Sequence, residues 1–194
     1  MKYSPLSYNF FTLIKLPAAW ISGVRVSKVT DEFCEVKVKY RWINQNPFKS
    51  MYWAVQAMAA ELTTGIFLIE RIRSNKTPIS MLVLNNKANF KKKARGVITF
   101  RCDEGLKAKN AIDKAIKTKQ PSKISMKSVG CDYSGDIVSE FIFDSIASKS
   151  CSYSGVNFII CEFAFIAIAT LINDIRCQFF QSFHALLTRS CASQ

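Results

Sequence analysis

Between residues 50 and 72 the chain is apolar around a whole helical circumference rather than along one stripe. Met51, Trp53, Ala54, Val55, Ala57, Met58, Ala59, Ala60, Leu62, Ile66, Phe67, Leu68 and Ile69 leave no polar side. A helix of that kind belongs inside something. Pro47 disfavours helix just before it and Ser50 can cap a first turn, so the pattern predicts a start at Ser50 or Met51. Glu70, Arg71 and Arg73 restore polarity, and Ser74, Asn75 and the Thr77-Pro78 pair stop the helix after about six turns.

The flanking segments alternate apolar and polar residues, as strands with one solvated face do. Residues 33–40, 97–102, 124–129 and 137–143 follow this rule, and 79–84 (ISMLVL) is a continuous run that fits a buried central strand. Residues 104–118 place Leu106, Ala108, Ile112, Ala115 and Ile116 on one face with lysines opposite, a surface helix. With only two helices available as crossovers, antiparallel pairing is expected. The result is an α+β domain whose sheet wraps one central helix. Near the N-terminus, residues 6–21 read as a packed amphipathic helix, because Lys15 cuts the apolar run too short for a secretory signal.

One carboxylate, Glu61, interrupts the apolar helix. Burying a carboxylate is costly, which marks the position either as a satisfied structural acid or as a reactive one. A helix start also offers unpaired amides and the positive end of a dipole, so the backbone of Tyr52 and Trp53, with the Asn46 amide, could polarise a carbonyl. Asn46 stands before Pro47, where Asn is equally a turn residue, and Tyr52 is equally core packing. Nine residues turn Tyr52 and Glu61 to opposite faces and separate them by roughly 13 Å along the axis. Two antiparallel helices in a dimer would bring such halves together. Gln56 shares the face of Tyr52 by spacing, and Gly65 that of Glu61.

The segments LPAAWISGVRV (16–26), RWINQNPFKSMYWAVQAMAAELTTG (41–65), ISMLV (79–83), ANFKKKARGVITFRCDEG (88–105) and SGDIVSEFIF (134–143) resemble the DUF4442 family. This is a hotdog-fold group related to acyl-CoA thioesterases of the PaaI type. The resemblance implies a long antiparallel sheet around a central helix, a homodimer or dimer of dimers, and an acyl-CoA or acyl-carrier thioester as substrate without a cofactor. In the related thioesterases an Asn or Gln precedes a His-Gly-Gly helix start by six positions, and an acid follows the His by nine. The corresponding residues are Asn46, Tyr52 and Glu61, with Trp53 and Ala54 in place of the glycines. A Ser or Thr often found four residues after the acid is Gly65 here, beside Thr64. Glu61 is thereby implied as general base or nucleophile, with Asn46 and Tyr52 completing the catalytic set. Trp53, Gln56, Thr64 and Gly65 are implied as substrate contacts. A non-catalytic binder, with Trp53 plugging the place where glycine would admit a thioester, is the alternative.

Composition narrows the chemistry further. The sole histidine, His184, lies outside these segments, which excludes a histidine-based triad or a histidine-containing zinc site within them. The seven cysteines form no CxxC pair and read as free thiols of a cytoplasmic protein. No metal set and no glycine-rich nucleotide loop is present. The formal net charge is +13, and thirteen basic residues stand against Asp103, Glu104 and Asp113 between Lys87 and Lys127. The hydrolase reading assigns Lys91, Lys92, Lys93 and Arg95 to the phosphates of coenzyme A or a carrier arm. Nucleic acid and anionic lipid are the competing partners, but the scarcity of interleaved exposed aromatics argues against specific nucleic-acid binding.

The domain is expected to span residues 1–147. Residues 148–194 hold four cysteines, no proline and an apolar run from Val156 to Ile172 that contains Glu162. An added helix, a membrane anchor and a tail foreign to the domain compete there. The charge inside the run weakens the anchor, and the foreign tail is the expected reading.

Overall fold

In a computed structural model, which describes residues 4–74 and 79–149, the chain runs α1 (Pro5–Lys15), α2 (Pro17–Ile21), β1 (Arg25–Val29), β2 (Cys34–Lys39), a 3-10 turn (Trp42–Asn44), α3 (Trp53–Ser74), β3 (Ile79–Phe90), β4 (Val97–Cys102), α4 (Gly105–Thr118), β5 (Ser122–Cys131) and β6 (Ile137–Lys149). The strands form one antiparallel sheet in the order β1-β2-β4-β5-β6-β3. The long helix α3 packs on its buried face, giving the expected α+β hotdog. The Thr77-Pro78 helix stop and the readings of the tail beyond Lys149 lie outside the described residues.

Alternation sets the sheet's two faces. Cys34, Val36 and Val38 of β2 are buried while Lys37 and Lys39 are exposed, and Ile98, Phe100 and Cys102 continue the buried face across β4. Strands β5 and β6 extend well past the segments 124–129 and 137–143. Their inward positions beyond those runs are Ser122, Gly130, Ser145 and Ala147, and Ser128 and Ser139 are buried within them. Small polar residues hide a strand from an apolar count, yet they let α3 sit close to the sheet. The Thr63 hydroxyl donates to the Ala60 carbonyl at 2.6 Å and lies 2.9 Å from the Ser128 hydroxyl. Ser139 donates to Gln56 Oε1 at 2.9 Å. Each buried hydroxyl thus keeps a partner, as burial of polar groups requires.

Four expectations are corrected. The central helix begins at Trp53, because Ser50 is drawn into the preceding loop: its amide donates to Asn46 Oδ1 and its hydroxyl to the Ala94 carbonyl. The run 79–84 is part of an edge strand, not a central one. Among the described residues β3 pairs only with β6, and its residues from Leu84 onward are exposed. The N-terminal helix over 6–21 is two helices, broken at Leu16, whose backbone leaves the helical region before Pro17. Of the face drawn for residues 104–118, Ala108, Ile112 and Ala115 are buried and Ile116 partly so, but Leu106 is exposed.

A single chain does not close around α3. Val55, Ala59, Ala60, Leu62, Ile66, Phe67 and Leu68 are buried, whereas Ala54, Ala57, Met58, Glu61, Gly65 and Ile69 form a half-buried stripe along the helix.

Candidate functional site

The loop from Arg41 to Tyr52 delivers the chain to the start of α3, and two asparagines hold its shape. Asn44 is buried; its Nδ2 donates to the carbonyls of Ser22 and Lys39, and its Oδ1 accepts from the Arg41 amide. Asn46 Oδ1 accepts from the amides of Phe48 and Ser50 at 3.0 and 3.1 Å, a local turn built on its own side chain. Lys49 sits in this turn at φ 56°, and Met51 closes the loop through its amide to the Ala94 carbonyl. Asn44 carried no signal in the sequence, because its partners lie at positions 22, 39 and 41.

Tyr52 is the residue on which the helix starts. Its carbonyl accepts from the amides of Val55 and Gln56, and its own amide donates to the Asn44 carbonyl at 2.8 Å. That amide is therefore engaged inside the loop, and the first-turn amides that follow are those of Trp53 and Ala54. The rings of Tyr52 and Trp53, both exposed by 40% or more, meet tilted at 6.0 Å between centroids. Gln56 does not share the exposure of Tyr52. It is buried against the sheet, with Nε2 donating to the Met51 carbonyl and Oε1 bound to Ser139.

Glu61 lies on the half-buried stripe with Ala57, Met58 and Gly65. It is the sole charged residue between Trp53 and Ile69. Thr64 is buried and its hydroxyl donates to the Glu61 carbonyl at 2.9 Å, so that hydrogen is held within the helix. At Gly65 an added methyl group would meet nothing within 4 Å, which leaves open space beside Glu61 on this chain.

The four expected cations divide into two pairs. Lys91 is bound to Glu140 at 2.9 Å, and Lys92 to Asp132 and Asp136 at 2.6 and 2.7 Å. The hydrogen bonds that Lys92 donates to the two carboxylates hold its ammonium well above the usual lysine range, and Lys127 and then Lys91 hold the Glu140 carboxyl below its own. Lys93 and Arg95 instead reach the loop, donating to the carbonyls of Phe48 and Lys49. With Lys49 they concentrate positive charge beside the start of α3.

The thiols offer no nucleophile here. Cys34 and Cys102 are buried directly opposite each other on β2 and β4; burial pushes the Cys34 thiol far up, and the Cys102 thiol to about 11. A separate small pocket lined by Asp31, Phe67, Glu70, Arg71, Ser74, Gly105 and Lys109 lies toward the C-terminal end of α3. Among the described residues no three His, Cys, Asp or Glu side chains are grouped to hold a metal.

Solved structures with this fold include a Pseudomonas aeruginosa protein described as of unknown function and a probable thioesterase, at TM-score 0.67 and 18% identity over 77% of this chain and 99% of that one. A Haemophilus influenzae thioesterase matches at TM-score 0.57 and 10% identity over 79% and 96% of the two chains. A second P. aeruginosa thioesterase, solved as a Gln-to-Ala mutant, matches at 0.58 and 10% over 77% and 97%. No curated protein matches the chain. The domain of unknown function DUF4442 matches residues 9–139, more than half of the sequence, and the chain belongs to that family.

Proposed function

We propose that the protein is an acyl-thioester hydrolase whose general base or nucleophile is Glu61. The observation that carries this reading is the position of Glu61: a carboxylate on a half-buried, otherwise apolar stripe of the helix at the centre of a fold shared with thioesterases. Hydrolysis needs an activated water or a nucleophile, and donors for the carbonyl oxygen that turns negative. Glu61 supplies the first. The amides of Trp53 and Ala54 at the positive end of α3 supply the second, since that of Tyr52 is engaged by Asn44.

Glu61 lies more than two turns along the same helix from those amides, so one copy does not hold both halves close together. A two-fold dimer joining the open stripes of two α3 helices completes the site and also covers the edge of β3 that no described strand pairs. Lys49, Lys93 and Arg95 then face the phosphates of coenzyme A or of a carrier arm, while Lys91 and Lys92, matched by carboxylates, contribute less. The exposed Trp53 indole favours a second reading, a binder without turnover, because it stands where the related enzymes have glycine.

A panel of acyl-CoA chain lengths assayed with wild type and Glu61→Gln, beside sedimentation of both, tests these readings. The expected result is a dimer whose turnover falls by at least about a hundredfold in Glu61→Gln with dimerisation unchanged. Turnover that survives the substitution removes Glu61 from the mechanism. Binding of coenzyme A esters without turnover by wild type selects the binder.

A further inference from the structure

Helix α1 is packed inside out. Its buried residues are the polar ones, Tyr8 and Thr12: the Tyr8 hydroxyl donates to Glu70 at 2.6 Å, and that of Thr12 to the Asn9 carbonyl. Asn9 grips the backbone of β1 in both directions, Nδ2 donating to the Val26 carbonyl and Oδ1 accepting the Val26 amide, each at 2.9 Å. The apolar residues Leu6, Phe10, Leu13 and Ile14 are therefore turned outward, 41–79% exposed. Spaced at 4, 3 and 1 residues, they form one continuous stripe.

Exposed apolar residues recur on the segments that follow. α2 ends on the exposed Ile21, and Asn44 ties the end of α2 to the loop by its bond to the Ser22 carbonyl. Just before Asn44 stand Trp42, 82% exposed, and Ile43, and Phe48 at 75% follows it. Charge on these segments has one sign. No Asp or Glu occurs in residues 1–30 or 36–60, whereas Lys15, Arg25, Arg41 and Lys49 do, with Lys93 and Arg95 reaching the same loop. The Arg25 guanidinium is stacked 3.5 Å from the centre of the Trp20 ring and donates to the Trp20 carbonyl, which fixes a cation at the end of α2.

We propose that this face docks on the surface of an anionic lipid bilayer. A helix with Leu, Phe and Ile on one face, a neighbouring Trp and flanking segments whose charged residues are cations suits the boundary between headgroups and acyl chains: the apolar side chains enter and the cations meet lipid phosphates. No described helix is long and apolar enough to cross a membrane, so the contact is interfacial. Water is a poor partner for the apolar stripe of α1 and for the large exposed apolar side chains of the segments that follow it, and exposed patches of this kind mark interaction sites. The proposal is independent of thioester chemistry, and its test uses none.

The experiment is co-sedimentation of the full chain with vesicles of phosphatidylcholine, or of phosphatidylcholine with 30% phosphatidylglycerol as a probe composition, at physiological salt. Wild type is expected to bind the anionic vesicles and not the neutral ones, with a blue shift in tryptophan emission that Trp42→Phe diminishes. The double substitution Phe10→Ser with Leu13→Ser is expected to lower partitioning by about tenfold or more with the melting temperature unchanged. Absence of binding to anionic vesicles overturns the proposal. So does binding that the double substitution leaves unchanged, which would be attraction of net charge alone. A smaller sedimenting species for the variant without vesicle binding by wild type would give the face to a second copy. A sharp drop in melting temperature without vesicle binding would give it to another part of this chain. Either result overturns the lipid assignment.

Discussion

Two short amphipathic helices, α1 with 11 residues and α4 with 14, are set against the domain the opposite way round. α4 follows the usual rule: Ala108, Ile112 and Ala115 pack inward, and Lys107, Lys109, Lys114 and Lys117 face water. Its attachment is apolar, reinforced by the Arg71–Asp113 pair from α3 and by Lys107, which bonds Glu104 and the Ser125 carbonyl. α1 is attached by hydrogen bonds and leaves its apolar stripe outside. Burial of apolar area is non-directional, whereas hydrogen bonds fix an orientation. α1 thus gives up one source of stability for a defined pose, which is what a surface presented to a partner requires.

The comparison is broken most severely at Ile112, fully buried beneath α4. Ile112→Asp places a carboxylate in the core, and a loss of about 4 kcal/mol or more is expected, a fall in Tm of roughly 8–16 °C for a domain of this size. Thermal melting by circular dichroism reads it. A loss below about 1 kcal/mol would show that α4 is not held by its apolar face.

Asn9→Ala addresses the opposite kind of attachment. It removes both bonds to Val26 and leaves a strand amide and carbonyl to find water, for an expected loss of about 1.5 kcal/mol. The measurement is urea unfolding, with amide exchange at Val26 as the local probe. Faster exchange confined to β1 and α1 is the expected signature, since α4 has no share in these bonds. Asn9→Asp keeps the acceptor and loses the donor, so an intermediate loss should follow.

These two helices also show what the sequence could and could not disclose. An amphipathic pattern defines two faces but does not say which one is packed. For α4 the common rule happened to hold. For α1 the deciding partners are Val26 and Glu70, far along the chain, and residues 6–21 could not reveal them. The same limit acts elsewhere. The apolar circumference of α3 and the alternation of β2 and β4 were legible because burial acts residue by residue. The ends of β5 and β6 were not, since their inward positions are small: Ser122, Ser145, Ala147 and Gly130, the last packed closely against the Phe100 ring. ISMLVL looked central because edge and centre strands differ in their neighbours, not in composition. At the candidate site, Glu61 stood out as a lone charge in an apolar run. That the Tyr52 amide is engaged by Asn44, and that Lys91 and Lys92 are matched by Glu140, Asp132 and Asp136, depends on chain paths that bring together residues 8 to 49 positions apart.

The smallest expected effect sharpens the comparison most. Leu13→Ser removes an apolar side chain from α1 by a change comparable to Ile112→Ser in α4, but Leu13 is 41% exposed whereas Ile112 is fully buried. In the free protein its loss should therefore change stability by less than about 0.5 kcal/mol, against about 3 kcal/mol or more for Ile112→Ser. Helix propensity falls slightly from Leu to Ser, which sets the sign of the small residue as destabilising. Urea melts of the two variants, with m-values compared, make the measurement. If Leu13→Ser costs as much as Ile112→Ser, the outer face of α1 is already buried in the free protein, and the contrast between the two helices disappears. If the two differ as expected, α1 is held by its inner face, through the buried Tyr8 and the bonds that Tyr8 and Asn9 make, and Leu6, Phe10, Leu13 and Ile14 are left available to whatever binds there.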